Sequence, residues 1–250
     1  MSGPIAINLY LDLLERCLTR ILHPDRAWPD APYSRDVREI GQDWPTEAET
    51  MIGIRRLHHL RQCAETVLQE NIPGDFLEAG TWRGGAGILL RGVLAAYEDC
   101  ARIVWLADSF QGLPGPNAER YPQDAGLDLS KIPFLSVPLD QVRANFARYG
   151  LLDARVSFLP GWFRDTLPTA PVKRLALLRL DGDLYESTID TLNALYGKVS
   201  PGGYVIIDDY GAITACRAAV DDFRKEHNVE EPIESIDWTG ICWRLTIPQP

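Results

Sequence analysis

The sequence is poor in several features that would point to common classes of protein. Its five cysteines are scattered, odd in number and without CxxC spacing, which argues against a disulfide framework or a zinc site. Lys and Arg number 25 against 35 Asp and Glu, whereas a nucleic-acid partner needs a basic surface. No apolar run reaches membrane-spanning length, and acids interrupt the apolar stretch near the N-terminus, unlike in a signal peptide. We therefore expect a cytoplasmic protein with neither nucleic acid nor membrane as a partner.

The usual signatures of nucleotide-phosphate binding are missing as well. The stretch EAGTWRGG has glycines at 80, 84 and 85, but it is not GxGxxG and no P-loop lysine follows it. A nicotinamide-dependent oxidoreductase would need that fingerprint and usually a Tyr/Lys or His catalytic group, which we cannot place. This class of enzyme is therefore disfavoured.

The sequence does contain a regular alternation of predicted strands and helices. Helices are predicted at 5–22 and 47–70, with a Pro- and Trp-rich arm between them. After Pro73-Gly74, apolar strand-like runs alternate with helical patterns, which is typical of a mostly parallel sheet covered on both faces. Strands are predicted at 75–80, 102–108, 156–161, 175–182, 204–211 and 241–247, and helices at 86–99, 139–152, 186–199 and 215–228. We predict one α/β domain over 1–250, with a helical N-terminal extension (1–72) and a core (73–250).

Two acids at predicted strand ends suggest a cofactor. Ligands of open parallel sheets bind outside the carboxyl ends of the strands. Glu78 would repel a pyrophosphate but would suit the ammonium group of an amino-acid moiety, and Asp108 could accept hydrogen bonds from ribose hydroxyls. Together they describe S-adenosylmethionine better than NAD, although a plain β–α turn and a helix cap are the alternative interpretations.

Three further acids, Asp181, Asp208 and Asp209, follow two other predicted strands. If these strands are neighbours, the three carboxylates converge and raise one another's pKa unless a cation lies among them. Oxygen ligands without Cys or His favour Mg²⁺ over zinc. A helix cap at Asp208-Asp209 and a loop turn at Asp181 or Asp183 are the structural alternatives.

These segments resemble a known family. LEAGTWRGG, VWLADSFQGLP, FLPGWFRDTLPTAP, LALLRLDGDLYESTIDTLNALY and SPGGYVIIDDYG are similar to the macrocin O-methyltransferases, over about residues 51–223. The resemblance implies a class I methyltransferase fold with a seven-stranded sheet and a helical lid. It also implies S-adenosylmethionine- and Mg²⁺-dependent methylation of a deoxysugar hydroxyl on a glycoside natural product, commonly by a homodimer.

The resemblance also implies roles for individual residues. Asp181, Asp208 and Asp209 would hold Mg²⁺. The cofactor would be bound by Glu78, Gly80, Thr81, Gly84, Asp108, Ser109, Trp162 and Phe163.

The sequence departs from a related pattern at the expected catalytic base. The fold also resembles catechol O-methyltransferases, in which a lysine three residues after the first metal-binding Asp is the base, but Leu184 stands there. Asp181 is then the first candidate for the base and Asp183 the second. A phenol or catechol acceptor is the alternative to a sugar. A cofactor-binding protein without chemistry is disfavoured, because it would have no need of the three acids.

Four aromatic residues are left with open roles. Trp28 and Trp44 in the arm are expected to pin it to the core, with stacking on a substrate as the alternative. Tyr185 and Tyr210 flank the acids and could either orient a substrate or pack.

Overall fold

The computed structural model describes residues 3–246, so Ile247, which ends the last predicted strand, lies outside the described residues together with 1–2 and 248–250. The strands are β1 (Asp75–Ala79), β2 (Val104–Asp108), β3 (Val156–Pro160), β4 (Leu175–Leu180), β5 (Val199–Ile207), β6 (Glu234–Ser235) and β7 (Ile241–Arg244). The helices are α1 (Pro4–Leu18), α2 (Arg35–Glu39), α3 (Gly53–Gln69), α4 (Gly85–Ala96), α5 (Leu139–Arg148), α6 (Phe163–Thr166), α7 (Tyr185–Leu195) and α8 (Thr214–Glu226).

The strands form one seven-stranded sheet in the order β3-β2-β1-β4-β5-β7-β6. β1 to β5 are parallel, while β7 runs antiparallel to both β5 and β6. The strand order reverses between β1 and β4, which is where ligands bind in open α/β sheets. The predicted α/β fold with a mostly parallel seven-stranded sheet is confirmed. β6, with only two residues, has no pattern that sequence analysis could have detected.

Helices cover both faces of the sheet because the buried strands are apolar on both sides. Phe76 and Leu106 belong to a core shared with α1, α3 and α4, whereas Leu77 and Trp105 belong to a second core shared with α7 and α8. Successive side chains of a strand point to opposite faces, so each strand contributes to both cores. The N-terminal helices α1 and α3 pack against α4 and thereby complete one of the two faces.

The arm between α1 and α3 is irregular but tightly held. The buried guanidinium of Arg38 donates to Asp25 at 2.6 Å and to Asp43 at 2.8 Å. Two glycines then let the arm approach the start of α3: a Cβ on Gly53 would lie 2.4 Å from the nitrogen of Gly41, and both residues have positive φ. The arm is therefore pressed against α3 by backbone contact.

The long segment 111–135 contains three single-turn 3₁₀ helices and is held near its middle and at its C-terminal end. The fully buried carboxylate of Asp124 accepts hydrogen bonds from the backbone N–H of Tyr185 (2.7 Å) and of Glu186 (3.1 Å), the first two residues of α7. The indole of Trp82 donates to the carbonyl of Phe134 at 3.1 Å. Within residues 3–246, no helix combines the length and the apolarity that crossing a membrane requires.

Candidate active site

A cavity of about 320 Å³ lies along the carboxyl ends of the parallel strands. Its walls come from the strand ends, from the arm, the segment 111–135 and the β6–β7 turn (236–240), and from parts of α3, α6 and α7. The sequence-predicted residues that line this cleft are Gly80, Asp108, Ser109, Trp162, Phe163, Asp181, Asp183, Asp208 and Asp209.

The three acids that follow β4 and β5 do meet in space. Leu180 and Ile207 are register partners at the ends of these neighbouring parallel strands, so Asp181 lies next to Asp208. One carboxylate oxygen from each of Asp181, Asp208 and Asp209 lies within 4.8 Å of the other two. The sequence pattern thus located a cluster of three carboxylates, which we name the acid trio.

A buried arginine near the carboxyl end of β4 contacts the acid trio. Arg179 is the register partner of Glu78 on β1, and it donates to that carboxylate at 2.7 Å and to Asp181 at 2.9 Å, as well as to Asp208. Arg179 and Asp181 are two residues apart on a strand and therefore share a face. Burial alone would lower the pKa of Arg179, but Asp208, Asp181 and Glu78 raise it above its ordinary value.

A second arginine reaches the acid trio from helix α3. The guanidinium of Arg56 pairs with Asp208, donates to Asp237 at 3.0 Å and donates to the carbonyl of Gly41 at 3.2 Å. One side chain therefore joins the arm, the β6–β7 turn and the acid trio.

The two arginines do not neutralise all the acids of the site. Burial, followed by the nearby acids, raises the pKa of Asp181 to about 6 and that of Asp183 to about 8, and it raises the pKa of Asp209 well above its ordinary range. Among residues 3–246, no Lys or Arg makes an ion pair with Asp209. A set of converging carboxylate oxygens with excess negative charge fits a hard divalent cation such as Mg²⁺.

On the other side of the cleft, the end of β2 is arranged for a polar ligand. Asp108 accepts hydrogen bonds from the backbone N–H of Thr81 at 2.8 Å and of Phe110 at 2.7 Å, and burial raises its pKa. Gly80 must be glycine: its φ is +90°, and a Cβ there would lie 1.7 Å from the carbonyl oxygen of Asp181.

Three of the residues predicted to bind the cofactor do not line the cleft in this structure. Glu78 is buried against Arg179, and burial raises its pKa to about 8; its Oε2 has no hydrogen-bond partner among the described residues. The Thr81 hydroxyl donates to Asp108 at 3.2 Å, and Gly84 begins α4 in a left-handed conformation beside Val142. Their roles toward the cofactor stay predictions.

The aromatic residues with open roles divide into two groups. Trp28, Trp44 and Phe134 stack with ring centroids 5.3 to 6.0 Å apart and join the arm to the segment 111–135, so both tryptophans pin the arm, and Trp44 also lines the cleft. Tyr185 and Tyr210 instead direct their hydroxyls to Asp222 (3.0 Å) and Asp221 (2.8 Å) on α8.

Sequence reasoning missed Arg56, Arg179 and Trp238, which all belong to this site. For Arg179 a signal existed, because it is the one charged residue inside the apolar run LALLRL. Arg56 gave none, since 152 positions separate it from Asp208. Trp238, which lines the cleft, stands in a turn without regular periodicity.

A sheet of this order, with an acidic cleft at the switch point, defines the class I methyltransferases. The model of the macrocin-O-methyltransferase family matches residues 14–245, and the chain belongs to this family.

Two relatives from actinomycetes cover nearly the whole chain. The 8-demethyl-8-(2,3-dimethoxy-alpha-L-rhamnosyl)-tetracenomycin-C 4'-O-methyltransferase of Streptomyces olivaceus is 52% identical over 96% of this chain and 94% of its own. The mycinamicin III 3''-O-methyltransferase of Micromonospora griseorubida is 47% identical over 98% of this chain and 99% of its own. The solved structure of the O-methyltransferase NovP matches with a TM-score of 0.94 and 49% identity, over 96% of this chain and all of that one. The predicted family and the O-methyltransferase activity are confirmed, and S-adenosylmethionine dependence is implied by the family.

Proposed function

We propose that this enzyme transfers the methyl group of S-adenosylmethionine to a hydroxyl of a deoxysugar on a glycoside natural product, with assistance from Mg²⁺. One relative described above is named for 4'-O-methylation of a rhamnosyl-tetracenomycin and the other for 3''-O-methylation of mycinamicin III, and the rhamnosyl group in the first name supports a sugar hydroxyl as the acceptor. A phenol or catechol is the alternative acceptor.

The observation that carries the proposal is the acid trio, within one cleft with Asp108. Asp181, Asp208 and Asp209 would hold the ion. The ion would make the acceptor hydroxyl more acidic and would fix its oxygen. Asp108, together with the backbone near Gly80, Ser109, Trp162 and Phe163, would hold the cofactor.

S-adenosylmethionine would supply the methyl group, and the acceptor hydroxyl would give up its proton to a base in the cleft. Of the two candidates for the base, the geometry favours Asp183 over Asp181. Asp181 accepts a hydrogen bond from Arg179, and the positive charge of the guanidinium makes the carboxylate less basic. Asp183 lines the cleft without an ion pair to any of residues 3–246, and burial raises its pKa to about 8, which suits proton transfer near neutral pH.

The N-terminal extension (1–72) and the core (73–250) would act together as one methyltransferase domain. The contacts of Arg56 with Asp208 and Asp237 support this, because they join the two parts at the site itself. A homodimer and a cytoplasmic location stay predictions.

The test is to follow methyl transfer from S-adenosylmethionine to a panel of 6-deoxyhexosides and phenols, with Mg²⁺ and with EDTA. We expect S-adenosylhomocysteine binding in calorimetry and turnover of glycosides that depends on the ion. Methylation of phenols alone would replace the proposed acceptor by the alternative, and full activity in EDTA would remove the ion from the proposal.

A substitution in the acid trio, compared with one outside the cleft, tests whether the trio acts in methyl transfer. Asp209→Asn is expected to lower kcat by about a hundredfold or more, since charge neutralisation and acidification of the hydroxyl by a bound ion are each worth several kcal/mol. Its matched control is Asp222→Asn, which changes an exposed carboxylate of α8 outside the cleft. Equal activity of the two variants would show that the acid trio is structural.

A further inference from the structure

Trp238 stands at the tip of the β6–β7 turn, where an indole is only partly covered. It lines the cleft, and 45% of its surface is exposed. An exposed indole loses the stabilisation that burial would give it. At the cleft wall the ring leaves apolar area open to a ligand, because none of residues 3–246 covers it fully.

The turn holds the indole in a fixed place. Asp237 accepts hydrogen bonds from the backbone N–H of Thr239 at 3.0 Å and of Gly240 at 2.8 Å, and from Arg56 at 3.0 Å. The Nε1–H of Trp238 donates to the carbonyl of Ile40 at 2.8 Å. Folding already orders this ring, so a ligand that binds to it causes little further loss of side-chain conformational entropy.

The ring is also covered on one side. The guanidinium of Arg56 lies over one face of the indole, 5.9 Å from its centroid, and both side chains contribute to the wall of the cleft. The polar edge of the indole is already occupied by Ile40, which leaves an apolar π surface for the ligand.

The position of the Trp238 ring relative to the acid trio indicates which part of the acceptor the ring would contact. The hydroxyl of Thr239, the next residue, donates to the carbonyl of Asp208 at 2.9 Å. Trp238 and the acid trio therefore belong to neighbouring parts of one cleft wall, and a sugar bound with its reacting hydroxyl at the acid trio would lie near this ring. A deoxysugar ring carries an apolar C–H face beside its hydroxyls, and such a face packs well on an aromatic ring.

We propose that Trp238 is the stacking platform for the C–H face of the acceptor sugar and thereby helps to determine specificity. The inference rests on the proposed function, because it assumes a sugar acceptor. It assigns to Trp238 the binding of the acceptor and no part in the chemical step.

Two substitutions separate stacking from a structural role. Trp238→Ala removes both the ring and the hydrogen bond to Ile40, whereas Trp238→Phe removes the hydrogen bond and keeps an aromatic ring. With 4-nitrophenyl 6-deoxyhexopyranosides as acceptors, we expect Trp238→Ala to raise KM about tenfold, which corresponds to about 1.4 kcal/mol. Trp238→Phe should stay within about threefold of the parent, and kcat should change little in either variant. Ile233→Ala, at an exposed apolar residue just before β6 and outside the cleft, is the control.

The outcomes distinguish the inference from the function on which it rests. If the parent methylates none of the glycosides, the proposed function fails. If the parent methylates them and the two Trp238 variants raise KM equally, Trp238 only pins the arm through Ile40 and the inference is wrong. An unchanged KM in Trp238→Ala would also overturn it. Calorimetry with S-adenosylhomocysteine should give the same affinity for all variants, since the inferred partner is the acceptor.

Discussion

The two walls of the cleft are built by different means. The wall at the sheet edge consists of the acid trio and the arginines behind it, held by strand register and buried ion pairs. The facing wall comes from the arm, the segment 111–135 and the β6–β7 turn, and side-chain contacts hold it in place of strand register: stacked aromatic rings, hydrogen bonds to backbone carbonyls, and the ion pairs of Arg38 and Arg56. The carboxylates are thus placed at the ends of regular strands, while the surface that we propose to meet the acceptor is assembled from irregular segments.

From this difference we predict that substitutions in the sheet-edge wall lower the free energy of unfolding more than substitutions in the facing wall. Arg179→Met would remove the cation that Glu78, Asp181 and Asp208 share, and it would leave the buried carboxylate of Glu78 without an ion pair to any of residues 3–246. Removing one partner of a buried ion pair costs about 3–5 kcal/mol, so we expect a loss of that size in the free energy of unfolding, measured by urea denaturation. Arg55→Met, at an exposed position of α3, is the control and should change little. A loss below about 1 kcal/mol in Arg179→Met would mean that the two walls do not differ in this way.

The acids of the sheet-edge wall should also make the free energy of unfolding depend on pH. Asp181 and Asp183 have pKa values raised to about 6 and about 8, so the folded protein binds more protons than the unfolded chain between about pH 4 and 8. In EDTA, the free energy of unfolding should therefore fall as the pH rises through this window, by up to about 1.4 kcal/mol per pH unit for each such proton. Denaturation curves from pH 5 to 8 measure the slope.

Asp183→Asn should reduce the slope because it removes one of the titrating groups. Mg²⁺ should stabilise the protein more at pH 8 than at pH 5, since the ion and protons compete for the same oxygens. A slope of opposite sign would show that the arginines outweigh the excess of acids.

A smaller effect is expected on the facing wall. Asp124→Ala removes both hydrogen bonds to the first turn of α7, which should cost about 1–3 kcal/mol and make the segment 111–135 easier to cleave by limited proteolysis. Asp128→Ala removes a partly exposed carboxylate of the same segment and serves as the control. Equal proteolysis of the two variants would show that the segment does not depend on its anchor.

The parts of the site that sequence analysis located are those that follow from strand periodicity. Parallel strands end at one edge, so acids directly after β4 and β5 had to converge if the strands were neighbours. The partners of these acids could not be predicted in the same way. Arg56 reaches Asp208 only because the arm and α3 fold back over the edge, and no local pattern encodes that path.

The aromatic residues show a second limit of sequence analysis. Tyr185 and Tyr210 flank the acids in the chain, yet the helical geometry of α7 and the turn after β5 direct both hydroxyls to α8. Proximity in sequence at a strand end locates the backbone but not the side chain. The same limit separates Gly80, which lines the cleft, from Thr81 and Gly84, which do not.

The contact between Gly41 and Gly53 has a consequence for protein engineering. A library of chimeras could replace this arm with the arms of other enzymes in order to change the acceptor. In each chimera, foreign residues would face an unchanged sheet-edge wall. Such chimeras can vary the aromatic and polar residues of the arm. Their crossover points must keep both glycines, because a methyl group on either one would overlap the backbone of the segment that contains the other. Displacement of that backbone would move the carbonyl of Gly41, which Arg56 contacts. The two glycines therefore limit where the arm can be exchanged.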